Sequence, residues 1–192
     1  MYKLETLVYL SILYNESHRH YHNINHIHAC LGEYQVYCRE AQVYSDEDVI
    51  EAIWWHDAIY NPYSVTNEWD SAILYKNSTD NYKEIVFNAI TDTARHTEDL
   101  KIITPMEKIV LDLDLSSLGY RWELFNQNSE NIKKEYYFVD DVTFYVNRIK
   151  FLKTLLARKS IYYTPYFFNK FETKARENIE KAIHDATRKL NI

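Results

Sequence analysis

His18-Arg19-His20-Tyr21-His22-Asn23-Ile24-Asn25-His26-Ile27-His28 is the stretch whose reading decides the fold, and it holds five of the chain's 8 histidines. Successive residues of a helix advance by about 100°. On that spacing His22 and His26 fall about 40° apart on one face, with His18 and Arg19 beside them. Ile24, Ile27 and Leu31 take a different face. A helix with histidines on one side and aliphatic residues on another is expected to be buried on both. The spacing predicts this helix from about His18 to Tyr37.

The same period continues in both directions. Leu4, Leu7, Val8 and Ile12 mark a first helix, and Asn15-Glu16-Ser17 supplies a break and a cap. Ser45-Asp46-Glu47-Asp48 is a capped, acidic helix start, with that helix running to about Asp57. Asn61-Pro62-Tyr63-Ser64 is a loop. Helices are expected from about Asn67 to Lys76 and from Tyr82 to His96. Pro105 opens another, which Gly119 ends. Two long helices complete the chain, roughly Val139 to Arg158 and Pro165 to Leu190. No strand pair, repeat or low-complexity segment interrupts this pattern. The expected architecture is all-α, a helical bundle of one domain over residues 1–192.

Composition narrows the function classes. A chain of 192 residues can bury a sizeable core. Its 18 Tyr, 8 Phe and 4 Trp supply large side chains, many of which should rim the core. The net charge of -6 argues against strong non-specific nucleic-acid binding, which needs a basic footprint. It leaves room for a local basic pocket. Cys30 and Cys38 lie two turns apart on one expected helix, too far for an easy disulfide. They read as reduced thiols of a cytoplasmic protein. No apolar run reaches membrane-spanning length. The stretch from Met1 to Leu13 carries Lys3 and Glu5 and lacks a secretory pattern. A homo-oligomer stays open.

Trp54-Trp55-His56-Asp57 brings a second histidine next to a carboxylate. Asp57 continues the apolar stripe of Ile50, Ile53 and Trp54. His56 continues the line of Val49 and Ala52. Both therefore point inward. An inward carboxylate is costly unless it is paired or bound to a metal. An arginine or backbone N–H groups would satisfy it equally well, but the upstream His22/His26 pair favours a metal. A third inward carboxylate lies in Leu111-Asp112-Leu113-Asp114-Leu115, where Asp114 falls nearer the core stripe than Asp112. Asp112 is expected at the margin or the surface. Trp54 and Trp55 read as core packing.

In this order, His26, His56-Asp57 and Asp114 resemble the HD superfamily of metal-dependent phosphohydrolases. Tyr21-His22-Asn23-Ile24-Asn25-His26 is similar to a Tyr-His-Asn-x-x-His segment of that group. Cyclic-nucleotide phosphodiesterases carry such a segment, as does a small bacterial and phage HD hydrolase family. The small family is the closer match, through Trp54-x-His56-Asp57-Ala58-x-Tyr60, Asn67-Glu68 with Ser71-Ala72, and Asp112-x-Asp114-Leu115-x-x-Leu118-Gly119. The C-terminal Arg148, Arg158, Glu172 and Ala175-Arg176-x-Asn178 extend the likeness over nearly the whole chain. The chain is much shorter than the phosphodiesterases and lacks their extended purine-binding C-terminal region.

The resemblance implies one or two divalent ions (Mn, Mg, Zn, Fe, Co or Ni) held by His26, His56, Asp57 and Asp114. Bound water would be the nucleophile and His22 the general acid. Glu68 would orient the water, or would be an ordinary first-turn glutamate favoured by the helix dipole. His96 would be an extra ligand or phosphate contact, or a helix cap. Arg19 shares the expected His22/His26 face and has the bidentate fork that suits phosphate. Arg95 and Arg148 are further substrate-binding candidates. Arg158 and Arg176 would extend the pocket or pair with Glu172 or Asp141. Tyr60 and Tyr63 are candidates to stack on a base. The expected substrate is a phosphate ester or anhydride of a small nucleotide-like molecule. Two alternatives are a di-iron oxygenase on the same scaffold and a catalytically silent helical binding protein.

Overall fold

A computed structural model describes residues 4–98, 100 and 103–190; Met1 and Lys3, used in reading the N-terminus, lie outside them. Nine α-helices occur among the described residues, and no strand. They are α1 (Leu4–Tyr14), α2 (Ile24–Ala41), α3 (Glu47–Trp55), α4 (Asn67–Ser78), α5 (Glu84–Asp92), α6 (Pro105–Asp114), α7 (Trp122–Glu135), α8 (Asp141–Ala157) and α9 (Pro165–Lys189). Short 3₁₀ turns follow α5 at Thr93–Arg95 and α6 at Leu115–Gly119. The all-α expectation holds.

Side-chain caps set most helix starts. Asp46 accepts from the Asp48 N–H at the head of α3, and Asp140 accepts from Thr143 at the head of α8. Thr104 and Glu107 form a reciprocal capping box behind Pro105. The largest departure from expectation is at α2. Asn23 adopts an extended backbone, φ -123 and ψ -176, and its side chain accepts from the Asn25 N–H. That local hydrogen bond competes with helix, so α2 begins at Ile24 and residues 18–23 form an irregular approach to it. His22 therefore does not share a helical face with His26.

The sequence reading missed α7. Its residues, WELFNQNSENIKKE, are mostly polar, and only Phe125 and Glu135 are buried. A helix so polar overall has few apolar residues to draw attention to it, although those it has fall mainly on one face.

Helices α3, α5 and α6 pack on one another, and α9 lies along the 3₁₀ turn after α6. Ile27, Val49, Ile53, Trp55, Ile90, Val110, Leu113 and Phe167 are buried in the shared core. Each large aliphatic or aromatic side chain so buried contributes about 1.5–3 kcal/mol. The α9 contact is close enough that a Cβ on Gly119 would lie 2.5 Å from Phe171 Cβ. Asn178 on α9 donates to the Leu118 and Tyr120 carbonyls, both at 2.8 Å.

Asp112 reverses its expected place. It is fully buried and accepts from the Tyr163 N–H, the Thr164 N–H and the Thr164 hydroxyl. It ties α6 to the start of α9. Burial pushes its pKa up to about 6, against the pull of those donors and of Arg158. Asp114 is the less buried of the pair because it faces a cavity.

Candidate metal centre

Three helix ends bring four side chains together. His26 sits in the first turn of α2. His56 closes α3, where its N–H still donates to the Ala52 carbonyl at 2.9 Å. Asp57 follows directly, and Asp114 is the last residue of α6. Helix ends suit this work because the chain can leave the helical path just beyond the ligand.

The nitrogen and oxygen atoms converge. His26 Nε2 lies 3.2 Å from His56 Nε2, 3.8 Å from Asp57 Oδ2 and 3.0 Å from Asp114 Oδ1. His56 Nε2 lies 3.1 Å from Asp57 Oδ2 and 3.6 Å from Asp114 Oδ1. Ligands about 2.0–2.2 Å from one ion stand about 3.0–3.5 Å apart when adjacent, which these spacings approach. His56 Nδ1 donates to the Ile53 carbonyl at 2.9 Å. In the neutral ring that leaves the Nε2 lone pair aimed at the centre.

Asp57 Oδ2 is the most telling atom. It is buried and accepts no hydrogen bond, although His56 Nε2 is close. An orphaned buried carboxylate oxygen is costly, and a cation among these four groups would remove the cost. The charges ask for the same thing. Burial alone would raise the pKa of Asp57 and Asp114, but His56, joined by His22 at Asp57 and by His26 and His96 at Asp114, holds both below the usual carboxylate range. Burial would lower that of His56, but Asp57 and Asp114 raise it well above its ordinary value. The residues present fit a divalent ion. Cys30, one turn beyond His26, has its thiol pushed up by burial and by Asp114 and Asp57, so it packs there as a neutral group.

His22 stands beside this centre in an unforeseen setting. Its Nδ1 lies 2.7 Å from Glu135 Oε2, and its ring stacks on Tyr60 with centroids 4.3 Å apart. Glu135 also accepts from the Tyr21 N–H at 2.6 Å, the His22 N–H at 2.9 Å and the Tyr60 hydroxyl at 2.8 Å. Burial lowers the pKa of His22, but Glu135 and Asp57 more than offset it and the net shift is upward. Glu135 is held below its ordinary value by His22 despite burial. Glu135 ends α7, so it was missed along with that helix. Only recognition of α7 could have put it forward.

The remaining candidates divide. His96 Nε2 lies 2.7 Å from Asp114 Oδ2, so His96 orients that carboxylate. Glu68, in the first turn of α4, lines the same cavity, and burial, with Asp57 and Asp114, raises its pKa. Arg148 on α8 also lines it.

Arg19 and Arg95 do not take the roles expected of them. The Arg19 side chain is 1% exposed, and its guanidinium donates to the carbonyls of Asp57 at 2.6 Å and Ala58 at 2.9 Å. It is spent on holding the His56-Asp57 segment against residues 16–22 and has no free fork for a phosphate. Arg95 is directed to solvent and paired with Asp92 and Glu98. Arg176 pairs with Glu172, as one alternative held, and Arg158 donates to the His96 carbonyl. Asp141 pairs with Lys133. Trp55 is core, Tyr60 is buried against Glu135, and Tyr63 lies exposed against Phe138.

The cavity measures about 570 Å³. His22, Asp57, Glu68, His96 and Asp114 supply polar lining, while Phe125, Ile132, Phe144 and Phe151 supply apolar lining. No helix among the described residues is long and apolar enough to cross a membrane. No family model, curated protein or solved structure matches this chain.

Proposed function

We propose that this chain is a metal-dependent phosphohydrolase that cleaves a phosphate ester or anhydride of a small nucleotide-like molecule. One observation carries the reading. The orphaned Asp57 Oδ2 lies within a buried His26–His56–Asp57 group, beside Asp114, at the wall of a cavity also lined by His22, whose ring is held by Glu135. The likeness to the HD motif order supports it.

A divalent ion bound by His26, His56, Asp57 and Asp114 supplies positive charge beside the phosphate and makes water more acidic. The chain's own residues supply the rest. Glu135 fixes the His22 ring through Nδ1 and favours the protonated imidazolium, which leaves Nε2–H as the acid. As the water oxygen bonds to phosphorus, the bond from phosphorus to the leaving-group oxygen breaks, and that oxygen takes the electron pair. His22 Nε2 gives it a proton. The proton lost by water goes to Glu68, whose raised pKa suits a base. His96 keeps Asp114 oriented throughout. The two free cysteines agree with a cytoplasmic setting.

Phosphate release would be screened with Mn, Mg, Co and Ni over nucleoside monophosphates, triphosphates, cyclic nucleotides and short oligonucleotides. Turnover of a small nucleotide that disappears in His56→Ala is the expected result. Oxygen uptake by the iron-loaded protein without phosphate release would replace this reading by the oxygenase. Metal binding with neither activity would favour a silent binding protein.

A further inference from the structure

We propose that the cavity accepts an organic phosphate with an apolar body and a second anionic group, and that Arg148 selects for that second group. The inference rests on the phosphohydrolase reading for the position of the first phosphate.

Arg148 is the one arginine of the cavity lining. It sits on α8, which packs chiefly on α9, whereas the metal-ligand candidates come from α2, the end of α3 and α6. The two charged regions thus come from different elements and line one cavity. A guanidinium has five N–H donors. Among the described residues, Arg148 makes one long hydrogen bond, to Ser129 Oγ at 3.5 Å, and no ion pair. It also lies 5.5 Å from the Phe151 ring centroid and within electrostatic reach of Tyr21 and Tyr136. Arg19, Arg95 and Arg176 each have a carboxylate partner. Arg148 is half-buried, and burial pulls its pKa down against Tyr21 and Tyr136. A cation so placed, with most donors unused, fits an anion that enters with the ligand.

Part of the cavity wall is apolar. Phe125, Ile132, Phe144 and Phe151 line a cavity of about 570 Å³, much more than one phosphate fills. Asn128 and Ser129 of α7 line it as well and add an amide and a hydroxyl near the guanidinium. The ligand that satisfies all of this has a phosphate at the metal-ligand group, a flat or aliphatic body, and a carboxylate or phosphate at Arg148.

Three non-hydrolysable probes test the inference by calorimetric titration of the Mn-loaded protein: benzylphosphonate, 4-carboxybenzylphosphonate and para-xylylene bisphosphonate. Wild type is expected to bind one or both doubly anionic probes about tenfold or more tightly than benzylphosphonate. Whichever gains more identifies the second group as carboxylate or phosphate. Arg148→Met should erase the preference and leave benzylphosphonate affinity within about twofold. Arg148→Lys should retain part of the preference, which separates loss of charge from loss of fold. No preference in wild type, or an equal weakening of all three probes in Arg148→Met, would overturn the inference; equal weakening would mean that Arg148 meets the phosphate at the metal end. If no phosphate ester is hydrolysed under any metal yet the Arg148-dependent preference persists, the phosphohydrolase reading falls and the two-anion cavity stands. Turnover without preference removes only the cavity inference.

Discussion

Arg19→Ala should unfold this protein more readily rather than weaken its hold on a phosphate. The guanidinium donates to the Asp57 and Ala58 carbonyls at 2.6 and 2.9 Å, and to the His22 carbonyl at 3.3 Å. It also lies 5.2 Å from the Tyr14 ring centroid and 5.6 Å from that of Tyr60. Truncation leaves two buried carbonyls without donors, at about 1–3 kcal/mol each. Loss of the cation from between the two rings adds about 0.5–2 kcal/mol. The ion pair with Glu16 contributes little because that carboxylate is 42% exposed. The sum, about 2.5–8 kcal/mol, corresponds in a domain of this size to a fall in melting temperature of about 5–32 °C. Thermal unfolding of the metal-free protein, followed by circular dichroism, measures it without involving substrate. A variant that melts within about 2 °C of wild type and shows only a raised KM would refute the reasoning.

Four further outcomes are expected. Divalent ion at about 100 times its Kd should stabilise the wild type by about 2.7 kcal/mol, and this gain should vanish in His56→Ala and Asp57→Ala; an undiminished thermal shift in either variant removes the metal site. His22→Ala should keep metal but lose turnover by about 10²–10⁴-fold, most for poor leaving groups, so equal losses for poor and activated leaving groups would count against a proton donor. Activity should fall as pH rises through the His22 pKa, which lies above its ordinary 6.5, and Glu135→Gln should move that limb to lower pH; the pair's stability is likewise lost as pH rises through the His22 value or falls through the depressed Glu135 value, and a pH profile unchanged by Glu135→Gln is the contrary result. Gly119→Ala should cost about 1–3 kcal/mol by overpacking Phe171, read from a urea midpoint, with an unchanged midpoint showing that α9 can yield.

Much of the candidate site was legible in the sequence. Helical period turned His56, Asp57 and Asp114 inward, the resemblance to the HD motif order added His26 to them, and the structure brings all four together. The acidic start of α3 and the Pro105 start of α6 were also readable, since a cap acts within one turn of chain. Where the reading failed locally, at residues 18–23, the cause was the Asn23 side chain, whose bond to the Asn25 N–H starts α2 six residues late.

The other differences depended on what lies opposite. Helical angles placed Asp114 deeper than Asp112, but Asp112 meets the head of α9 and Asp114 meets a cavity. Arg19 carries the fork that a phosphate would want, yet the Asp57 and Ala58 carbonyls, nearly forty residues away in the chain, take it first. Glu135 reaches His22 across 113 residues from a helix that is mostly polar. A side chain's periodicity is set by its neighbours in sequence, so the sequence determines which face of a helix it occupies. Its partner is set by whichever element the core brings against that face, and only the tertiary structure decides that.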